Sequence, residues 1–358
     1  MLVKKKTKNK VASVLVILML TGSLTACSPD QNQSPDKNQA TEVEGFVMGT
    51  VISQKVYGKN GQKAVDETMA RMQYLDGLLT FNAPEGDIYK LNENAGQKKV
   101  ELNPITLNII KKAQQVAELS NGAFDVTVGP LVKSWGIGTE QERVPAPEDI
   151  KKLLPLINYK DLTVDDHSAG LNKAGQMVDL GGIAKGYAGD EAIQIYKKNG
   201  ITSGFVNIGG NVVTLGSKPD GSPWTVGIRN PRPQERMSGQ QIVGTVTVTD
   251  KAVVTAGDDQ RYFEQDGKRY HHILDPHTGY PAQSDLLSVT LITDSSFDAD
   301  ALDTAVFILG LEKGKELLRR YGGVEAVFIT TDKKIYVTDG LKGNFTLHDE
   351  SHEFQYVE

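Results

Sequence analysis

The stretch "GFVNIGGNVVTLG", Gly204–Gly216, decides the fold. Two short runs rich in β-branched residues meet at Gly209-Gly210, and paired glycines supply the positive φ angles that a tight hairpin turn needs. The spacing therefore predicts two antiparallel strands. Further strand signals stand at "WTVGI" from Trp224, "IVGTVTVT" from Ile242, "AVVTAG" from Ala252, "LLSVTLIT" from Leu286, "EAVFIT" from Glu325 and "KIYVTDG" from Lys334. Helical periodicity marks "AVDETMARMQYLDGLL", "PITLNIIKKAQQVAEL" and "IAKGYAGDEAIQIYKK", with Pro104 suited to a first turn and Asn121-Gly122 and Asn199-Gly200 suited to stops. A fourth helix contains "DADALDTA" and runs to Gly310, and a fifth, "EKGKELLRRYG", follows a short break. Strands and helices are mixed without strict βαβ alternation. That predicts an α+β fold of mostly antiparallel sheets with packed helices. There is no evident internal repeat or linker, so one large domain and two interlocked lobes both fit.

The first ten residues carry five lysines, "VASVLVILML" is almost wholly apolar, and "TGSLTAC" ends in the only cysteine. That order reads as a secretory signal over residues 1–26, and the apolar run is shorter than the ~20 residues of a membrane-spanning helix. The tetrapeptide "LTAC" resembles the lipobox of bacterial lipoproteins, which makes Cys27 a lipidated anchor to the cell membrane, facing outside the cytoplasm. Residues 27–40 form a polar tether and residues 41–350 the body. Removing residues 1–26, with five lysines and no acids, takes the formal charge from −6 to about −11. Such an acidic chain is a poor nucleic-acid binder.

Four stretches carry the chemistry. In "DADALDTA", Asp298–Ala305, acids near a helix start can simply oppose the macrodipole. Asp300, Asp303 and Thr304 also share one helical face, and their hard oxygens suit Mg²⁺ or Ca²⁺. In "DLGGIAKGYAGD", Asp179–Asp190, glycines lead into a helix whose N-terminal amides, with Lys185, could receive an anion such as phosphate. A carbonyl of Gly182 or Ala184 could complete a metal site begun by Asp300. "HHILDPHTGYP", His271–Pro281, lacks the spacing of a zinc site. Adjacent histidines in a strand face opposite ways, and His272, beside Ile273 and Leu274, is the better general base. In "NGAFDVTVGPLVKSWG", Asn121–Gly136, Asp125 reads by default as a turn acid.

Together with "MGT" from Met48, "NIGGN" from Asn207 and "WTVGIRNP" from Trp224, these stretches resemble, in order, the FAD:protein FMN transferases of the ApbE family. The resemblance implies a T-fold-related architecture and an enzyme that binds FAD as substrate. It implies Mg²⁺-dependent transfer of FMN to a threonine or serine of an exported acceptor flavoprotein of membrane-linked electron transfer, with AMP leaving. By position it assigns metal ligation to Asp300, Thr304 and a backbone carbonyl of the Gly182 loop, with Asp303 standing where the family often has serine. It assigns FAD contact to Met48, Ala123, Phe124, Asp125, Asp179, Lys185 and Ile273, and catalysis to His272. Two positions depart from the pattern. Asn82 stands where a tyrosine that stacks on FAD is expected, and "TAGDD", Thr255–Asp259, replaces "TSGDY". Two other readings remain at this stage: an FAD pyrophosphatase that yields free FMN and AMP, and a non-catalytic flavin-binding lipoprotein.

Overall fold

A computed structural model describes residues 39–232, 242–348 and 352–357. Cys27, the signal segment and nearly all of the tether lie outside the described residues. The strands, in chain order, are β1 (Ala40–Val47), β2 (Thr50–Tyr57), β3 (Val100–Glu101), β4 (Leu162–Val164), β5 (Ser168–Leu171), β6 (Ser203–Ile208), β7 (Asn211–Leu215), β8 (Trp224–Arg229) and β9 (Ile242–Val248). They continue with β10 (Ala252–Gly257), β11 (Tyr262–Gln265), β12 (Lys268–His271), β13 (Leu286–Thr293), β14 (Glu325–Thr330), β15 (Lys334–Val337), β16 (Phe345–Leu347) and β17 (Gln355–Val357). The α-helices are α1 (Gly61–Leu79), α2 (Asp87–Glu93), α3 (Pro104–Leu119), α4 (Gly129–Trp135), α5 (Pro147–Leu153), α6 (Ala184–Lys198) and α7 (Ser296–Tyr321).

Nine strands form one sheet in the order β1-β2-β6-β7-β10-β13-β14-β15-β17. Every neighbouring pair is antiparallel except β15 with β17. The hairpin predicted at Gly209-Gly210 is present: Ile208 pairs with Asn211, and the two glycines take φ of 60° and 105°. The α+β expectation holds, with antiparallel pairing throughout the centre of the sheet.

The central strands read as largely apolar runs without polar alternation because both faces are covered. All eight residues of β13 are buried. Val289 and Leu291 join the core under α1, α6 and α7, while Leu287 and Ile292 join a second core with Trp224 and Val246 of the small β16-β9-β8 sheet. β14 alternates likewise, Ala326 and Phe328 to one core, Val327 and Ile329 to the other. A third cluster seats Trp135 of α4 against Tyr270 and Tyr280, its Nε1 donating to the Gly279 carbonyl at 2.8 Å. This cluster ties the segment after β12 to α4 and α5.

The helix expectations hold closely. Asn103 accepts from the Ile105 amide and Pro104 opens α3. The predicted break before "EKGKELLRRYG" appears as a kink inside α7, where Gly310 has φ 77° and ψ −176° and the Leu311 amide turns to Asp285 Oδ1 at 3.0 Å.

Candidate active site

Two hairpin turns lie side by side at one end of the large sheet. Met48-Gly49 joins β1 to β2 in two residues, with φ of 55° and 67°, and the Gly209 amide of the next hairpin donates to the Val51 carbonyl at 3.0 Å. Positive φ is costly for a residue such as methionine and ordinary for asparagine or glycine. Met48 holds it with its side chain partly buried against the main core.

From that end Asn211, the first residue of β7, reaches α7. Its Nδ2 donates to Asp300 Oδ1 at 2.8 Å, Lys185 Nζ lies 2.9 Å from the same oxygen, and the Gly186 amide donates to Asp300 Oδ2 at 2.8 Å. α6 and α7 can meet here because position 186 is glycine: a Cβ there would stand 2.3 Å from the Ser296 carbonyl oxygen and 2.5 Å from Asp300 Cβ.

The two readings of "DADALDTA" now separate. The start of α7 is served by other groups: Ser295 accepts from the Asp298 amide, Asp190 of α6 accepts from Ser295 Oγ and from the Ser296 and Phe297 amides, and Asp298 pairs with Lys112 at 2.8 Å. Asp300 and Asp303, further along, are buried and not needed as caps. Burial and the neighbouring Asp300 hold the Asp303 carboxyl well above the usual carboxylate range. Thr304 Oγ1 donates to Asp303 Oδ1 at 3.2 Å, and a Cβ on Gly182 would sit 3.6 Å from Thr304 Oγ1 and 3.3 Å from the Phe124 ring. Gly182, Phe124, Asp303 and Thr304 thus border one another.

One expectation changes. Most amides at the start of α6 already have protein partners: those of Ile183 and Ala184 go to the Leu180 carbonyl and that of Gly186 to Asp300. A buried carboxylate needs donors, and Asp300 itself is the anion at this helix start. Lys185 Nζ, on Asp300 and the Gly181 carbonyl, is the cation of the loop.

His272 and Asp179 flank this centre. The Arg261 carbonyl accepts from the His272 amide at 3.0 Å and lies 3.2 Å from Nδ1. A carbonyl only accepts, so Nδ1 carries the proton and Nε2 is left with a lone pair. Desolvation, with the charges of Arg261, His271 and Lys185, pushes His272 down to about 3, so the ring is neutral at pH 7. The other histidine, His271, faces away into the core against Phe307 and the Ala282 carbonyl, as the strand alternation requires. Desolvation raises the Asp179 carboxyl against the pull of the Gly181 amide, Arg261 and Lys185.

The remaining assigned residues occupy varied places. Ala123 and Ile273 are buried in the body. The Asp125 carboxylate holds two loops together, accepting from the Thr127 amide and hydroxyl at 2.8 and 2.7 Å and from the Tyr159 amide at 2.8 Å. Asn82 is exposed in the turn after α1, where its amide donates to Thr80 Oγ1 at 3.3 Å. No described contact joins Asn82 or Asp125 to Asp300. Sequence reasoning singled out neither Asn211 nor Arg261. The asparagine directly after a Gly-Gly turn was the available signal for the first, and Arg261 had none.

Among the described residues no group of three or more His, Cys, Asp or Glu side chains forms a ready-made metal centre. The donors that do converge, two buried carboxylates and a hydroxyl on one face of α7 beside the Gly182 loop, are hard oxygens of the kind Mg²⁺ takes. Lys185 is the only cation paired directly with them among the described residues, so a divalent ion fits the charge as well as the chemistry.

Comparison with known proteins gives the family of the chain. The model of the ApbE family matches residues 48–328. A protein of Treponema pallidum named FAD:protein FMN transferase is 36% identical over 83% of this chain and 86% of its own length. One of Klebsiella pneumoniae with the same name is 34% identical over 88% and 97%. The crystal structure of an ApbE protein of Thermotoga maritima superposes with a TM-score of 0.78 at 34% identity, covering 86% of this chain and 99% of that one. The flavin transferase ApbE of Vibrio cholerae gives 0.76 at 28% identity, covering 86% and 99%. The family match over residues 48–328, with relatives of 34–36% identity covered over most of their length, accordingly places this chain in the ApbE family.

Proposed function

We propose that the chain is an FAD:protein FMN transferase, moving FMN from FAD to a threonine or serine hydroxyl of an exported acceptor flavoprotein and releasing AMP. The observation that carries this reading is the placing of a neutral imidazole, His272, near an oxygen-rich, cation-containing centre made of Asp300, Asp303, Thr304 and Lys185. The acceptor oxygen forms a bond to the FMN phosphorus as the bond from that phosphorus to the AMP oxygen breaks. Positioning and charge neutralisation do most of the work in such a transfer. His272 Nε2 accepts the hydroxyl proton, while the Arg261 carbonyl keeps the ring in the tautomer that can do so. Asp300, Asp303, Thr304 and the Gly182 loop would hold Mg²⁺, which supplies charge neutralisation at the diphosphate. Lys185 keeps Asp300 oriented, and its charge adds to that neutralisation. Lipidation at Cys27 would keep the enzyme at the outer side of the cell membrane, where exported acceptors are found.

The test is to incubate the purified chain with FAD, Mg²⁺ and an exported flavoprotein bearing the acceptor hydroxyl, following AMP, free FMN and acceptor mass together. AMP release with an FMN-sized mass gain on the acceptor is expected. AMP with free FMN and no labelled protein would replace transfer by FAD hydrolysis. That outcome would point to Asn82, where the family's stacking tyrosine is absent, and restored transfer in Asn82→Tyr would locate the cause.

A further inference from the structure

We propose that Arg261 is a positioning residue that couples loading of the site to the state of His272: its carbonyl fixes the imidazole and its guanidinium receives a phosphate oxygen of the incoming dinucleotide. This rests on the transferase reading for the identity of that dinucleotide. It goes beyond that reading in assigning a second role to a residue next to the base.

Three observations carry it. First, one carbonyl meets both the amide and the Nδ1 of His272, at 3.0 and 3.2 Å, so the orientation of the ring depends on where the Arg261 backbone lies. Second, the Arg261 side chain is exposed and lies in no ion pair with a carboxylate among the described residues. The nearby arginines are all engaged: Arg232 with Asp258, Arg229 with Asp259 and Arg269 with Glu264. In so acidic a chain an uncommitted guanidinium beside the site is available to an anion, and its fork matches phosphate. Third, its charge is felt at both Asp179 and His272, the two groups that flank the Lys185 centre. The stem passes beside the turn after α4, where a Cβ on Gly138 would stand 3.6 Å from Arg261 Cδ.

Desolvation acts first against protonation of His272, and the charges of Arg261 from the segment before β11, His271 from β12 and Lys185 from α6 add to it. A diphosphate arriving at the guanidinium cancels part of that opposition. The ring then becomes a stronger base only in the loaded site, where the proton to be removed is also present. Loading must therefore draw a proton from solvent over the range between the free and loaded values.

The experiment measures FAD binding to the full chain in detergent with a chelator present to hold back turnover, by calorimetry at several pH values from 4 to 6, each in two buffers of different ionisation enthalpy. Wild type, Arg261→Gln and His272→Asn are compared. Arg261→Gln keeps the backbone carbonyl and removes only the cation. Expected are proton uptake by wild type, its loss in His272→Asn, its loss or near loss in Arg261→Gln, and FAD affinity lower by roughly 10- to 100-fold in Arg261→Gln, the range for losing one charge-assisted contact. An Arg261→Gln protein that binds FAD within about threefold of wild type, or takes up protons equally, overturns the proposal. Arg261→Lys, which keeps the charge, should recover most of the uptake, and a purely structural role would leave it as impaired as glutamine. Failure of the transferase reading would show separately, as wild type that binds FAD yet releases no AMP when Mg²⁺ is restored.

Discussion

Asn211 Nδ2 donates to Asp300 Oδ1 across 2.8 Å, joining the first residue after a hairpin turn to a helix that begins some eighty residues later in the chain. Both groups are buried, so the bond satisfies a buried carboxylate oxygen as well as tying sheet to helix. Asn211→Ala should cost about 1–3 kcal/mol by leaving a buried acceptor short of a donor. Thermal unfolding at pH 7 measures this, and an unchanged midpoint would mean that Lys185 and Gly186 suffice.

Asp303 sets a pH dependence of stability. Its folded value is raised, by desolvation first and by Asp300 second, so the folded state holds that proton more tightly than the unfolded chain. The stabilisation is fully present below the unfolded value of about 3.9 and is lost as pH climbs toward the folded value. In a metal-free buffer, Asp303→Asn should therefore gain in melting temperature relative to wild type between pH 5 and pH 8. Mg²⁺ should raise the wild-type midpoint more than the variant's, because it offsets a repulsion the variant lacks. A difference that stays flat across pH would place the Asp303 carboxyl in a water-like setting.

His272→Ala should lower transfer by ~10²–10⁴-fold, the usual range for a positioned base, with FAD still bound. Because the free ring is pushed down to about 3, kcat/KM in wild type should show no acidic limb near the ordinary histidine value. A limb near 6.5 in kcat/KM would show that water reaches the ring freely.

Gly310→Ala tests the kink. With φ 77° and ψ −176° the position lies in a region essentially restricted to glycine, and a Cβ would stand 2.5 Å from Asp285 Oδ1. The expected loss is about 1–3 kcal/mol, read by urea unfolding. A negligible loss would show that α7 can straighten through residue 310 and release Asp285 from the Leu311 amide.

Much of the frame was legible in the chain. The strands buried on both faces, such as Leu286–Thr293, are rich in leucine and β-branched residues, and Asn103-Pro104 and Gly310 punctuate helices in the usual way. β1 and β2 escaped because β1 is an edge strand whose residues alternate exposed and half-buried, so "ATEVEGFV" carries little apolar signal. The short helices α2, α4 and α5, seven residues each, are too brief to establish a period. At the site, Asp300, Asp303 and Thr304 could be grouped because helical spacing is local. The donors to Asp300 could not, since Asn211 and Gly186 come from other elements. Nor could sequence reveal that the Gly186 amide is taken by Asp300, because that follows from how α6 crosses α7.

The strand order of the large sheet is the order of the chain, so each strand finds its neighbour already in place beside it, apart from the excursions that carry the helices and small sheets. Six of the nine strands precede residue 300, whereas Asp300, Asp303 and Thr304 follow them. A growing chain can thus assemble most of its scaffold before it possesses the acids of its centre. The acids of the centre arrive late in this polypeptide, and a product truncated ahead of α7 would be six strands of the sheet without Asp300, Asp303 or Thr304.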